Sequence, residues 1–261
     1  MIWFDRNCRN FNSKFNFHLF CSVLDMNPLP AYAELFCFTS AIIVASLGFI
    51  FYYYLPDSTF IQKMLKSAKG ETRYVMFQRF LGVFIFGIIP LLIVAFSGTK
   101  NLTDFGLIAP VPETYFWTII LSVAIVTMNY FNSGTPENLS VYPQNRKEVW
   151  SVKLIIISAL SWIAYLLSYE FLFRGFLFFA SVRLLGLWPA AALNVAIYAL
   201  VHVPKGNKET IGAIPLGIIL CYLTFRTGSI WIAVVTHIVM ALSNEWLSLR
   251  AHPQMFIKKL T

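Results

Sequence analysis

Five ionisable side chains lie inside long apolar runs and are the first candidates for chemistry: Arg79, Glu170, Arg174, His202 and His237. An ionisable group at bilayer depth costs at least about 2.5–3.5 kcal/mol on insertion scales, so its presence there asks for a function. Glu170 and Arg174 share the stretch SYEFLFRGFLF at spacing i, i+4. That spacing puts them on one helix face within ion-pair reach. His202 closes an apolar run in IYALVHVPKG, just before Pro204, and His237 sits inside another, WIAVVTHIVMALSNEW. Each has a purely structural reading: a self-neutralising pair, a histidine satisfied by a backbone carbonyl, a histidine bonded across helices. Taken together they bring one carboxylate and two imidazoles from three separate apolar segments. That donor set suits a divalent metal such as zinc, held by Glu170, His202 and His237. It equally suits metal-free acid–base chemistry on a water molecule, and the residues alone leave both open.

Other candidates are weaker. Lys153 and Glu245 lie near the ends of their runs, and Arg79, early in its run after Arg73, reads as a side chain snorkelling to the interface. There is no H-E-x-x-H, G-x-S-x-G or phosphate-binding loop. The four cysteines, Cys8, Cys21, Cys37 and Cys221, form no C-x-x-C pair and suggest no disulfide framework. Cys221 has no adjacent basic residue and is not read as a nucleophile.

The elements that position these residues follow from composition. The 261-residue chain is 58% hydrophobic and 12% charged, against about 25% charged in a typical soluble domain. It could hardly coat a soluble globule, so it reads as an all-α, polytopic membrane helix bundle. Continuous apolar runs fall near 31–55, 74–97, 115–131, 150–183, 187–203, 210–226 and 229–248. Their continuity argues against the alternating pattern of a membrane β-barrel. The run 150–183 would reach roughly 50 Å as a helix, against about 30 Å of hydrocarbon. It is therefore expected to bend or split near Ser168, giving seven or eight transmembrane helices. Polar linkers occupy 56–73, 98–113 and 132–149. No inverted repeat relates the two halves, which speaks against a transporter.

The net charge of +8 fits orientation on an anionic leaflet, with no nucleic-acid partner. With seven spans, the segments 56–73, 132–149, 204–209 and the C-terminal tail carry four, two, two and three Lys/Arg, against six on the other side. That bias puts the C-terminus in the cytoplasm of a multi-pass protein of the cell membrane. The chain divides into an N-terminal extension (1–30, with a possible true start at Met26), N-terminal transmembrane helices (31–149), a motif-bearing core (150–248) and a tail (249–261).

In that core, YEFLFRG, then YALVH, then GIILCYLTFRTGSIWIAVVTH resemble the three motifs of the CPBP intramembrane proteases. This family includes type II CAAX prenyl endopeptidases and bacteriocin-processing or self-immunity proteins. Its pattern is E-E-x-x-x-R, F-x-x-x-H and H-x-x-x-N, and the resemblance covers about 150–248. It implies a polar cavity within the bilayer. There the first Glu and the second-motif His activate water, and the third-motif His and Asn stabilise the oxyanion. By motif match, Glu170 is the second Glu of the doublet, Arg174 the motif arginine, and His202 and His237 the second- and third-motif histidines. Tyr198 stands where the pattern has Phe, a change that keeps the ring. Two departures touch catalysis: Tyr169 replaces the first Glu and Ala241 the final Asn. Tyrosine is a poor base near neutral pH. Asn244 shares the His237 face but lies about 10 Å further along the axis.

The expectation is thus an endopeptidase acting on a membrane peptide or lipidated protein. Glu170, His202, His237 and Arg174 form its site, and Tyr169 is a proton-donor candidate. The alternative is a catalytically impaired relative that binds a peptide as an immunity or scaffold protein.

Overall fold

A computed structural model of the chain describes residues 28–97 and 101–258. The Met26 start, Cys8 and Cys21 lie outside the described residues. Among those described, seven helices are long and apolar enough to cross a membrane. In chain order they are α1 (Pro28–Tyr54), α3 (Thr72–Phe96), α4 (Pro112–Asn132), α6 (Val152–Leu185), α7 (Leu187–Leu200), α8 (Asn207–Thr227) and α9 (Trp231–Ala251), with two short helices, α2 (Thr59–Leu65) and α5 (Pro136–Val141), in the linkers. In hydrocarbon a helix satisfies its own backbone, which is why the uninterrupted apolar runs all take this form. Polar residues set the ends. Ser58 Oγ accepts the N–H of Ile61 at 3.3 Å, and Ser151 Oγ that of Leu154 at 3.2 Å. Pro112 and Pro136 open α4 and α5, where a missing N–H has no cost.

Of the two expectations for the long run, a bend or a split near Ser168, the split is not seen: α6 continues for 34 residues, and the described residues hold seven candidate spans, within the seven or eight expected. Ser168 Oγ bonds back to the Ala164 carbonyl at 2.9 Å instead of capping a new helix. The change comes just after Glu170, where Phe171–Leu177 passes into π-helical geometry. The packed neighbour α3 carries a matching π-helical stretch, Phe84–Ile88, ahead of Pro90, whose ring would clash with the carbonyl four residues back in a regular helix.

The two helices meet closely. A Cβ on Gly87 would lie 2.6 Å from Ser168 Oγ, so glycine is what permits the approach. Around this contact sits an aromatic core in which Phe49 stacks on Phe86 (4.6 Å between centroids) and Tyr52 on Tyr165 (5.5 Å). The run Phe51–Tyr54 therefore serves two environments. Phe51 and Tyr54 are exposed, as an interfacial belt would be, whereas Tyr52 is buried in the core. A two-residue parallel pairing, β1 (Val149–Trp150) with β2 (Phe256–Ile257), ties the chain after α9 to the start of α6.

Candidate active site

Glu170 is the last α-helical residue of α6 before the π-helical turn, and Arg174 lies within that turn. Insertions of this kind recur at functional sites because they re-aim side chains. Both side chains are fully buried, and Arg174 Nη1 lies 3.3 Å from Glu170 Oε2. The other carboxylate oxygen, Oε1, accepts a hydrogen bond from Nδ1 of His237, in the second turn of α9. The opposite ring nitrogen of His237, Nε2, is 3.3 Å from the hydroxyl of Tyr198 on α7. Arg174 Cζ lies 4.0 Å over the Tyr198 ring.

His202 follows the last turn of α7, where helix carbonyls lack intrahelical partners. Its Nδ1 is 2.7 Å from the Tyr198 carbonyl oxygen, and the two rings are 4.6 Å apart. Three motifs from three separate apolar segments thus converge on one residue, Tyr198. Only the histidines reach an accessible edge, at 7% exposure each.

Tyr169 lies beside this group rather than in its hydrogen-bond chain. Its ring packs 4.7 Å from Phe173 and 5.7 Å from His237, and its hydroxyl has no hydrogen-bond partner among the described residues. Ala241, one turn past His237, packs against the aromatic core and offers no polar group. Asn244 is engaged elsewhere, with its amide 3.2 Å from Asn138 Oδ1 and its carbonyl 3.3 Å from the Ser248 hydroxyl.

Glu170, His202 and His237 do not gather as an ion-holding set. Among the described residues no three His, Cys, Asp or Glu side chains do so. Most of the donor atoms are engaged within the protein: those of Glu170 with Arg174 and His237, Nδ1 of His202 with a carbonyl, and Nε2 of His237 with Tyr198, with Nε2 of His202 not among them.

The interfacial reading of Arg79 is corrected. It is 1% exposed and pairs with Glu245 at 3.2 Å, in a network with Ser158, Ser161, Gln144 and Trp162. The reason is geometric. Ser158, Ser161 and Trp162 share one face of α6 and supply a buried polar stripe. Those polar residues inside an apolar run were the available signal. Asn194 was also missed. Its amide donates to the Phe173 carbonyl at 2.7 Å, inside the π-helical turn, and its own carbonyl accepts from Cys221 Sγ at 3.3 Å. Lys153 is exposed at the start of α6.

Residues 151–243 match the family model described as Type II CAAX prenyl endopeptidase Rce1-like. The matched segment contains all three motifs and every residue of the converged group, so the CPBP resemblance stands on an independent match. No curated protein and no solved structure matches the chain.

Proposed function

We propose that this protein is an intramembrane endopeptidase of the CAAX type, hydrolysing a peptide bond of a membrane-associated peptide or lipidated protein in the cell membrane. The observation that carries the reading is the convergence of the Glu170–Arg174 pair, His237 and His202 on Tyr198. A carbonyl only accepts hydrogen bonds, so in neutral His202 the proton sits on Nδ1 and Nε2 keeps its lone pair. Nε2 is then the base. It takes a proton from water as the water oxygen bonds to the scissile carbonyl carbon, and returns that proton to the amide nitrogen as the C–N bond breaks. Arg174 neutralises the buried Glu170 carboxylate, and Glu170 fixes the ring of His237 on the side where the oxyanion forms. Tyr169, whose ring packs 5.7 Å from that of His237, is the candidate for an accessory proton donor.

The test uses the full chain in lipid nanodiscs with a fluorescence-quenched peptide bearing a farnesylated cysteine near its C-terminus. Cleavage is expected, falling about 10²–10⁴-fold in His202→Ala, and surviving metal chelation. Activity abolished by a chelator and restored by zinc would replace the metal-free step. Absence of cleavage would overturn the peptidase reading.

Tyr169 and Ala241 favour a second reading, binding without hydrolysis, because both stand where the family pattern has catalytic groups. Under it, Tyr169→Glu with Ala241→Asn creates cleavage that the natural chain lacks. In either case the bias of Lys and Arg places the C-terminus in the cytoplasm.

A further inference from the structure

We infer that the short helix α2 is a membrane-surface anchor whose outward face binds the anionic phospholipid headgroups of the leaflet where α1 ends and α3 begins. The inference is independent of the peptidase reading. It starts from the residues of the helix, TFIQKML. At helical spacing Phe60, Lys63 and Met64 share one face, and Ile61 and Leu65 lie on the other. Ile61 is buried against the protein, whereas Phe60 and Met64 are 72% and 56% exposed. An aromatic and a methionine on the outward face, beside lysines, is the composition of a helix that lies in the membrane interface.

The helix is also fixed at the edge of the bilayer. It is tethered between two spans, since α1 ends at Tyr54 and α3 begins at Thr72. Both of its shoulders are fastened to one residue in the first turn of α3. Tyr74 donates its hydroxyl to Asp57, which precedes α2, and its backbone N–H to Ser67 Oγ, which follows α2, at 3.3 Å. The outward face therefore holds one position at the end of the two spans. Phe60 and Met64 continue the exposed aromatic level that Tyr54 marks at the end of α1.

Charge selects the occupant. Among the described residues Lys63 and Lys66 are exposed and pair with no carboxylate, whereas Lys69 is held by Asp57 at 2.9 Å. Lys66 stands at the C-cap of α2, one turn of chain beyond Lys63. Their aliphatic stems can follow the apolar face while the ammonium groups reach lipid phosphates. Basic residues next to a span are drawn to an anionic leaflet in this way.

The competing reading is that two apolar side chains simply stand in water, as some do on any protein surface, free for a soluble protein partner. The test uses the full chain with Cys8→Ser and Cys21→Ser. It carries a nitroxide at Met64→Cys or, as the water-exposed reference, at Lys208→Cys, which is 72% exposed in the first turn of α8. The two remaining cysteines, Cys37 and Cys221, are buried. The nanodiscs contain phosphatidylcholine alone or an equal mixture with phosphatidylglycerol. Collisions with oxygen, which concentrates in lipid, and with a neutral nickel chelate, which stays in water, read the depth of each probe.

The expected result is more oxygen and less nickel collision at 64 than at 208, with phosphatidylglycerol widening the difference. Lys63→Gln with Lys66→Gln should abolish that widening. Both side chains are exposed and unpaired, so the variant should keep the unfolding temperature of the natural chain in detergent. Equal nickel collision at 64 and 208 would put the face in water, leave it to a soluble partner and overturn the inference. A probe at lipid depth that responds neither to phosphatidylglycerol nor to the glutamine pair would overturn headgroup binding. No cleavage is measured, so a chain without peptidase activity leaves the result unchanged.

Discussion

Among the described residues two arginine–carboxylate pairs are buried, and they are built differently. In the Arg79–Glu245 pair the carboxylate is saturated: Ser158 donates to one oxygen, and Arg79 (3.2 Å) and Trp162 (2.8 Å) to the other. Arg79 in turn reaches the Ser158 and Ser161 hydroxyls and Gln144, and lies 4.0 Å from the Trp162 ring, so only its Nε lacks a partner. The Glu170–Arg174 pair sits on one helix, and Arg174 Nε and the neighbouring Tyr169 hydroxyl have no hydrogen-bond partner among the described residues. A saturated buried network fixes geometry, whereas one with unused polar capacity is where a substrate finds partners. The first pair is therefore a clamp joining α3, α6 and α9, and the second is the pair that the proposed reaction uses.

Removing one member of the clamp is the severest way to test that division. Glu245→Ala leaves Arg79 charged, buried and unpaired, and is expected to cost about 3–5 kcal/mol of stability. Replacing both members, Arg79→Met with Glu245→Leu, should recover most of that loss. Denaturation followed in detergent would show both effects, and the peptidase rate per folded molecule should stay near that of the natural chain. If instead Glu245→Ala folds normally and loses the rate, the two pairs have been assigned the wrong way round. A smaller effect is expected at the bond that supports the π-helical turn. Asn194→Ala removes the amide bond to the Phe173 carbonyl, which keeps the Phe178 N–H, and the bond from the Cys221 thiol, at a cost of about 0.5–1.5 kcal/mol. The altered turn should also lower the rate, because Glu170 immediately precedes it and Arg174 lies within it. An Asn194→Ala protein of unchanged stability and rate would remove Asn194 from the support of the site.

The contrast also explains what could be read from the residues alone. The seven apolar runs were legible because a span must satisfy its backbone internally, and hydrophobic continuity reports that directly. Glu170, Arg174, His202 and His237 were legible because each is costly at its depth and all four fall in three short ordered motifs. Arg79 was misread because position along a helix does not say which way a side chain points. Its burial depends on Ser158, Ser161 and Trp162, which lie 79 to 83 residues away. The π-helical turn inside α6 was hidden for a similar reason. A π-helical turn needs no proline or glycine signal at Ser168, and its support comes from Asn194 on another helix. The hydroxyl of Tyr198 looked like a neutral addition to a ring until its distance to His237 was known.

An exposed ion pair completes the comparison and carries the smallest expected effect. Asp57, in the linker between α1 and α2, accepts a hydrogen bond from the Tyr74 hydroxyl and pairs with Lys69 at 2.9 Å. Partial burial pushes its carboxyl up, but the Tyr74 hydroxyl and the Lys69 ammonium outweigh that and hold it below the ordinary carboxylate value. A lowered folded-state value means that the stabilisation is present above the unfolded carboxylate range, near about pH 4, and is lost as the pH falls through the folded value. The Lys69 and Asp57 side chains are 70% and 39% exposed, so water screens the pair and its worth stays below about 1 kcal/mol. Asp57→Asn should therefore unfold slightly more easily than the natural chain at neutral pH, with the difference shrinking as the pH falls below the ordinary carboxylate range near about pH 4. A difference that persists in acid would mean that Asp57 acts through its hydrogen-bond geometry rather than its charge. One as large as that of Glu245→Ala would mean that burial does not separate strong pairs from weak ones in this protein.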